Sequence, residues 1–182
     1  MAGELHGADD VRKTHTHAYA TFQSPNAGRL GAVTDRALTV LRRREPARLP
    51  RWPERAALPV PLLVAALDDA GAVDAAIGRD PAGLVVAATG AGNTPPAYLA
   101  AARGLVERGI PVALTTRCPS GAARPGYAFP GGSSTWWEAG AIFTGTLDGL
   151  KSRLLLAFGI GAGCSVEELA GIGAAYGGGR RA

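Results

Sequence analysis

The chain has 182 residues, 47% of them hydrophobic and 19% charged, a globular balance that excludes wholesale disorder. Its formal net charge is +4, and no apolar run reaches the roughly 18–20 residues of a membrane-spanning helix. Two cysteines, Cys118 and Cys164, are too few for a disulfide framework or a four-ligand zinc site.

Those cysteines predict reduced thiols in the cytoplasm. The N-terminal stretch up to Lys13 holds no apolar core of signal-peptide length, so secretion is not expected. Residues 1–41 alternate short polar and apolar pieces, with turn signals at Ser24-Pro25-Asn26 and Ala27-Gly28. Their apolar content is too low for an independent core, so they read as the remnant of a larger α/β domain.

All three histidines, His6, His15 and His17, lie in this piece. The alternation Lys13-Thr14-His15-Thr16-His17 predicts a strand with Lys13, His15 and His17 on one side. Two histidines at that spacing, with Asp9 or Asp10 nearby, can bind a metal. The plainer expectation is a polar strand without metal. A lysine among threonines can lower the pKa of a hydroxyl nucleophile or relay its proton. Lys13 is therefore a candidate catalytic residue, with a surface lysine as the alternative.

Residues 42–59 read as a linker, because Pro46, Pro50 and Pro53 remove backbone donors. The basic excess collects here in Arg42, Arg43, Arg44, Arg48, Arg51 and Arg55. A nucleic-acid arm would want stacking aromatics beside these charges, and only Trp52 is near. A solvated linker is expected, with no nucleic-acid partner.

From residue 60 to 182 the pattern is that of an α/β domain. Apolar runs at Val60–Leu67, Gly83–Thr89, Pro111–Thr116 and Ala139–Gly145 have strand length. Asp68-Asp69 closes the first, and Gly71–Gly78 reads as a short helix. Thr94-Pro95-Pro96 predicts a helix start with Thr94 as N-cap, continuing over Ala97–Arg108 to a stop at Gly109. Pro119–Ser134 reads as a long loop, and Leu147–Phe158 as a helix. Ser165 and Glu168 have capping-box spacing, opening a last helix that ends near Tyr176. Short apolar strands alternating with helices predict about four parallel strands flanked by helices.

Ligands of such sheets bind at the carboxyl ends of the strands. Thr89-Gly90-Ala91-Gly92-Asn93 is one such end, where Asn93 offers both a donor and an acceptor, or simply caps a tight turn. It is neither a P-loop nor a dinucleotide fingerprint. Arg117, in Thr116-Arg117-Cys118-Pro119-Ser120-Gly121, can bind a carboxylate or form a structural ion pair. Cys118 has no histidine after His17 to activate it and reads as a plain thiol. Tyr127 lies in a third loop, Tyr127-Ala128-Phe129-Pro130-Gly131-Gly132.

Five stretches, in order, resemble one family. Asp10-Val11-Arg12-Lys13-Thr14-His15-Thr16 with Phe22-Gln23-Ser24-Pro25-Asn26-Ala27-Gly28 resembles the late N-terminal-domain segment of bacterial-type L-asparaginases. Gly90-Ala91-Gly92-Asn93 resembles their glycine–asparagine loop, and Arg117-Cys118-Pro119-Ser120-Gly121 their Arg-x-Pro-Ser/Thr-Gly loop. The stretch from Gly145 to Arg153 resembles their Leu-x-x-x-Lys-Ala-Arg helix start.

The resemblance implies an amidohydrolase converting L-asparagine to L-aspartate and ammonia without cofactor or metal. It implies homo-oligomers built from intimate dimers. Lys13 matches the lysine that works with the second threonine, and Asn93 an asparagine lent to the neighbouring subunit's site. Tyr127 is expected near substrate. The family's Thr-Gly-Gly-Thr nucleophile motif and its Thr-Asp-Thr are absent from these residues. The expectation is therefore a truncated chain, the C-terminal half plus the end of the N-terminal domain, inactive alone. A non-catalytic amino-acid-binding or oligomerisation module is the alternative.

Overall fold

The computed structural model describes residues 2–67, 70–78 and 80–179. The predicted strand end at Asp68-Asp69 lies outside them. The chain divides into two compact units, Met1–Pro46 and Ala47–Ala182.

The first unit is built from short antiparallel pairs. Strand β1 (Glu4–Leu5) and strand β5 (Ala37–Val40) flank β4 (Gly31–Thr34), while β2 (Arg12–Lys13) pairs with β3 (Phe22–Gln23). The β4–β5 hairpin turns through Asp35 and Arg36 at φ 49° and 66°, the left-handed geometry of a two-residue hairpin turn. The carboxylate of Asp10, 3% exposed, accepts from the Asn26 and Ala27 N–H groups and from Asn26 Nδ2. That buried anchor shapes the Ser24–Gly28 turn, which closes with Gly28 N–H on Ser24 O.

The second unit is an α/β domain around a four-stranded parallel sheet, in the order β6 (Leu62–Val64), β7 (Leu84–Ala88), β8 (Val112–Thr116), β9 (Ile142–Phe143). The crossovers carry α1 (Ala70–Ile77), α2 (Pro96–Glu107) and α3 (Ser133–Glu138). Helices α4 (Gly149–Gly161) and α5 (Val166–Ala175) follow. Crossovers of one hand, each advancing one strand in one direction, fall on one face of a sheet. The other face is left to α4 and α5.

The side chains record this split. Leu84, Val86, Leu114 and Phe143 join Val73, Tyr98, Leu105 and Trp136 in one core. Val85, Ala113 and Ile142 point the other way, toward Leu156, Ala157 and Leu169. Every residue of β7 and β8 is buried, so both faces are apolar along Leu84–Ala88 and over residues 112–114, with Thr115 and Thr116 at the end of β8 hydrogen-bonded.

Helix ends differ in how they are closed. After α2, Gly109 at φ 76° donates to Val106 O, and Ile110 donates to Leu105 O, a Schellman stop. Thr94 is not the N-cap of α2, contrary to the sequence expectation. Pro95 holds that position without a side-chain bond, and Thr94 Oγ1 accepts instead from the buried indole of Trp136 at 2.9 Å. A buried indole N–H needs an acceptor, and that need outweighs a cap. The capping box of α5 is present in both directions between Ser165 and Glu168.

Residues 47–59, within the stretch read as a linker, run along α4 and α5. Arg51 donates to the carbonyls of Ala162 and Gly163 and pairs with Glu168 at 2.7 Å. Trp52 stacks on Phe158. Gly161 passes so close to Arg55 O that a Cβ would sit 2.1 Å away.

The Glu168 carboxyl is held below its ordinary value, chiefly by the Ser165 N–H, against burial, and then by Arg51. A lowered folded-state value stabilises the fold above the ordinary carboxylate range. That contribution is lost as pH falls through the lowered value. Ser165→Ala is expected to cost about 1 kcal/mol at about pH 7, read by urea denaturation. Glu168→Gln is expected to flatten part of the decline in stability on acidification.

Candidate functional site

The carboxyl edge of the parallel sheet gathers the turn after β7 and the long loop that joins β8 to α3. After β7 the chain turns at Gly90 and Gly92, with φ 50° and 118°. Thr89 and Asn93 close the turn as an isolated bridge, and Thr89 Oγ1 also donates to Asn93 O. After β8, Thr116 Oγ1 donates to Gly90 O at 2.6 Å and accepts from Cys118 N–H, tying the second loop to the first. Arg124 N–H donates to Ala91 O, so the same long loop crosses the turn a second time.

Asn93 is half-buried. Its Oδ1 accepts from Ser133 N–H at 3.1 Å, at the start of α3. Tyr127 reaches the same residue, because its N–H donates to Ser133 Oγ at 3.3 Å and its O accepts from Ser134 N–H. The structure therefore brings Asn93 and Tyr127 together through Ser133. The Tyr127 ring is 50% exposed beside Phe129, 6.0 Å between centroids. Thr94 N–H donates to Gly131 O, which fixes the loop from below.

A groove of about 640 Å³ lies along α2 and this loop, lined by Leu99, Arg103, Glu107, Pro130 and Thr135 among others. Asn93 does not line it.

Lys13 belongs to the first unit and is exposed, with Nζ donating to Thr16 O at 3.0 Å. It lines a concavity of about 410 Å³ with Thr14, His15 and Thr16. The strand predicted through His17 stops at Lys13. Lys13 pairs with Phe22, and the residues between loop back to make that pairing. His15 Nδ1 accepts from the N–H groups of His17 and Ala18, closing a bend. So His15 and His17 do not share a strand face. Asp10 is committed to Asn26 and Ala27, and Asp9 to Arg44. Among the described residues no group of three His, Cys, Asp or Glu side chains could hold a metal ion.

Arg117 donates through Nη1 to Ala65 O, holding the end of the first strand of the sheet. The loop predicted over Pro119–Ser134 ends at Gly132, and its last two residues open α3, a helix absent from the sequence expectation. The missed residues are Ser133 and Trp136, both buried. A signal was present in Gly132-Ser133-Ser134-Thr135 ahead of two tryptophans, but six residues are too few for helical periodicity to register.

Residues 62–172 match the family described as glutaminase/asparaginase C-terminal domain, and residues 1–46 match asparaginase, N-terminal. A curated probable L-asparaginase of Deinococcus radiodurans is 41% identical over 87 residues, covering 48% of this chain and 26% of that protein. A probable periplasmic L-asparaginase of Haemophilus influenzae is 29% identical over 162 residues, covering 86% of this chain and 45% of that protein. The chain thus spans less than half the length of these curated relatives.

Gly131 sits at φ 82°, and a Cβ there would lie 2.4 Å from Thr94 O. Gly131→Ala is expected to cost more than about 1 kcal/mol and to detach the Tyr127 loop from Thr94. Thermal denaturation and the tryptophan near-ultraviolet dichroism of Trp136 would report both effects.

Proposed function

Because this chain belongs to the glutaminase/asparaginase family, whose C-terminal domain matches residues 62–172, we propose that it serves an L-asparaginase-type amidohydrolase acting on L-asparagine. What carries this reading is the ordered pair of matches, one to the N-terminal and one to the C-terminal domain of asparaginases. The relatives named as probable L-asparaginases support the same substrate.

The reaction breaks a carboxamide C–N bond. A hydroxyl oxygen attacks the amide carbon, ammonia leaves, and water releases aspartate from the acyl-enzyme. In this proposal Lys13 is the proton relay for that hydroxyl. An ammonium exposed at the rim of a hairpin, held by a single carbonyl, is free to reorient toward such a partner. Asn93 and Tyr127 contact the substrate. Asn93 serves the site of a neighbouring subunit, so a homo-oligomer is part of the proposal. A cytoplasmic setting is part of it too, in keeping with two cysteines that form no disulfide with each other. No cofactor is called for, since every step is proton and acyl transfer.

The 182 residues contain neither Thr-Gly-Gly-Thr nor Thr-Asp-Thr. Acyl transfer without its nucleophile and oxyanion donors loses many orders of magnitude. A second reading, an amino-acid-binding or oligomerisation module, is favoured by the complete two-faced core of the second unit.

The purified 182-residue polypeptide is expected to release no ammonia from L-asparagine above the no-protein blank in a coupled ammonia assay. Steady turnover would sink the inactive-alone proposal. Calorimetry with L-asparagine and L-aspartate, run beside size-exclusion chromatography, separates the two readings. A stable oligomer that binds either amino acid without turnover favours the module.

A further inference from the structure

The Asn93 carboxamide is oriented by α3 and not by its own loop. Ser133, the first residue of α3, is fully buried. Its main-chain N–H is one of the donors a helix start leaves without an intrahelical partner. A buried donor of that kind is costly to leave unpaired, and Asn93 Oδ1 accepts from it at 3.1 Å. A flipped carboxamide would set its NH2 against the Ser133 N–H, donor facing donor. Only one orientation therefore satisfies the helix start. In that orientation Nδ2 makes no hydrogen bond to any described residue, and it is not among the described buried polar atoms that lack a partner.

The support behind this contact is rigid. Gly92 lies so close that a Cβ would touch Ser133 Cβ and Leu114 Cδ2 at 3.2 Å. Thr94, next in the chain, is held by Trp136 of the same helix at 2.9 Å. Asn93 is gripped on both sides by one short element.

We propose that Ser133 is a positioning residue. Its main-chain N–H turns the Asn93 carboxamide so that Nδ2 is offered to an oxygen acceptor of the ligand, a carboxylate or an amide carbonyl. A ligand ammonium is the poorer match there, because Oδ1 already accepts from Ser133. This rests on the reading of Asn93 as a substrate-contacting residue.

The test uses the full 182-residue chain, L-aspartate as the probe, calorimetry for affinity, and amide NMR for fold and hydrogen exchange. Ser133→Pro deletes the N–H at a position that suits proline. It is the first helical residue, and Gly132 before it is extended at φ −71°, ψ 158°. Ser133→Ala keeps the N–H and serves as the conservative rescue. Asn93→Asp keeps an oxygen for Ser133 but loses the NH2, and Asn93→Ala loses both.

Ser133 N–H is expected to be protected from exchange in the parent and in Asn93→Asp, and unprotected in Asn93→Ala. Ser133→Pro, Asn93→Asp and Asn93→Ala are each expected to bind L-aspartate about tenfold more weakly, with Ser133→Ala recovering most of the loss seen with proline. A purely structural tie would leave Asn93→Asp binding like the parent, and that result overturns the donor role. Parent-like binding by Ser133→Pro, with Asn93→Ala weakened, overturns the positioning role alone. Parent-like binding by Asn93→Ala, or no binding by the parent, overturns Asn93 as a substrate residue and the proposal with it. If Ser133→Pro does not fold, exchange decides: a Ser133 N–H as fast as an exposed amide overturns the proposal, and protection relieved by Asn93→Ala supports it.

Discussion

Burial of both faces of the parallel sheet is the constraint from which the rest of the second unit follows. β7 and β8 have no exposed residue, so each must send apolar side chains alternately to two cores. Fully burying one Val, Leu or Phe is worth about 1.5–3 kcal/mol, and the two cores hold many. That demand recruits α1, α2 and α3 to one face and α4 with α5 to the other. Polar groups are then displaced to the strand ends, where their hydrogen bonds can be met. Thr116 binds Gly90 O there, Thr115 Oγ1 binds Leu147 O, and Thr144 meets Ser152 at 2.7 Å under the start of α4.

This arrangement places the proposed substrate contacts at an edge that packing has already made rigid. The Asn93 turn cannot drift, because Thr116 and Arg124 N–H hold its Gly90 and Ala91 carbonyls, and α3 holds Asn93 and Thr94. Glycines are needed where backbone meets backbone. Gly145, at φ 62°, leaves no room for a Cβ against Tyr176 O, so the last helix can close over the β9 end. The same economy explains the closeness of Gly173 to Phe143 O.

The first unit is organised by polar anchors and not by a core. Asp10 gathers the Asn26 turn, Asp9 pairs with Arg44, and Glu4 pairs with Arg29. Leu38 and Val40 of β5 and Val33 of β4 are about half-exposed, so the hairpin has an apolar surface of its own. Lys13 sits on the separate β2–β3 pair, and its side chain donates to Thr16 O nearby in the chain. The proposed catalytic use of Lys13 therefore depends on what stands near it, whereas Asn93 is held by the unit in which it lies.

The sequence alone determined the strands and most helices of the second unit. Short apolar runs such as Leu84–Ala88, alternating with helical segments, point to a parallel sheet covered on both faces, and Ser165, Glu168 and Gly109 carry helix boundaries in their own chemistry. It also marked the Gly90–Asn93 turn, because glycines at a strand end are a local signal. Tertiary structure decided the rest. Thr94 serves Trp136 across 42 residues of chain rather than capping α2, and His15 closes a bend because Lys13 pairs with Phe22. α3 exists because Trp136 has a core to enter and Ser133 N–H has Asn93 to meet, and neither partner lies near them in sequence. Signals carried by neighbours in the chain can be read in advance. Those that depend on which buried donor finds which distant acceptor cannot.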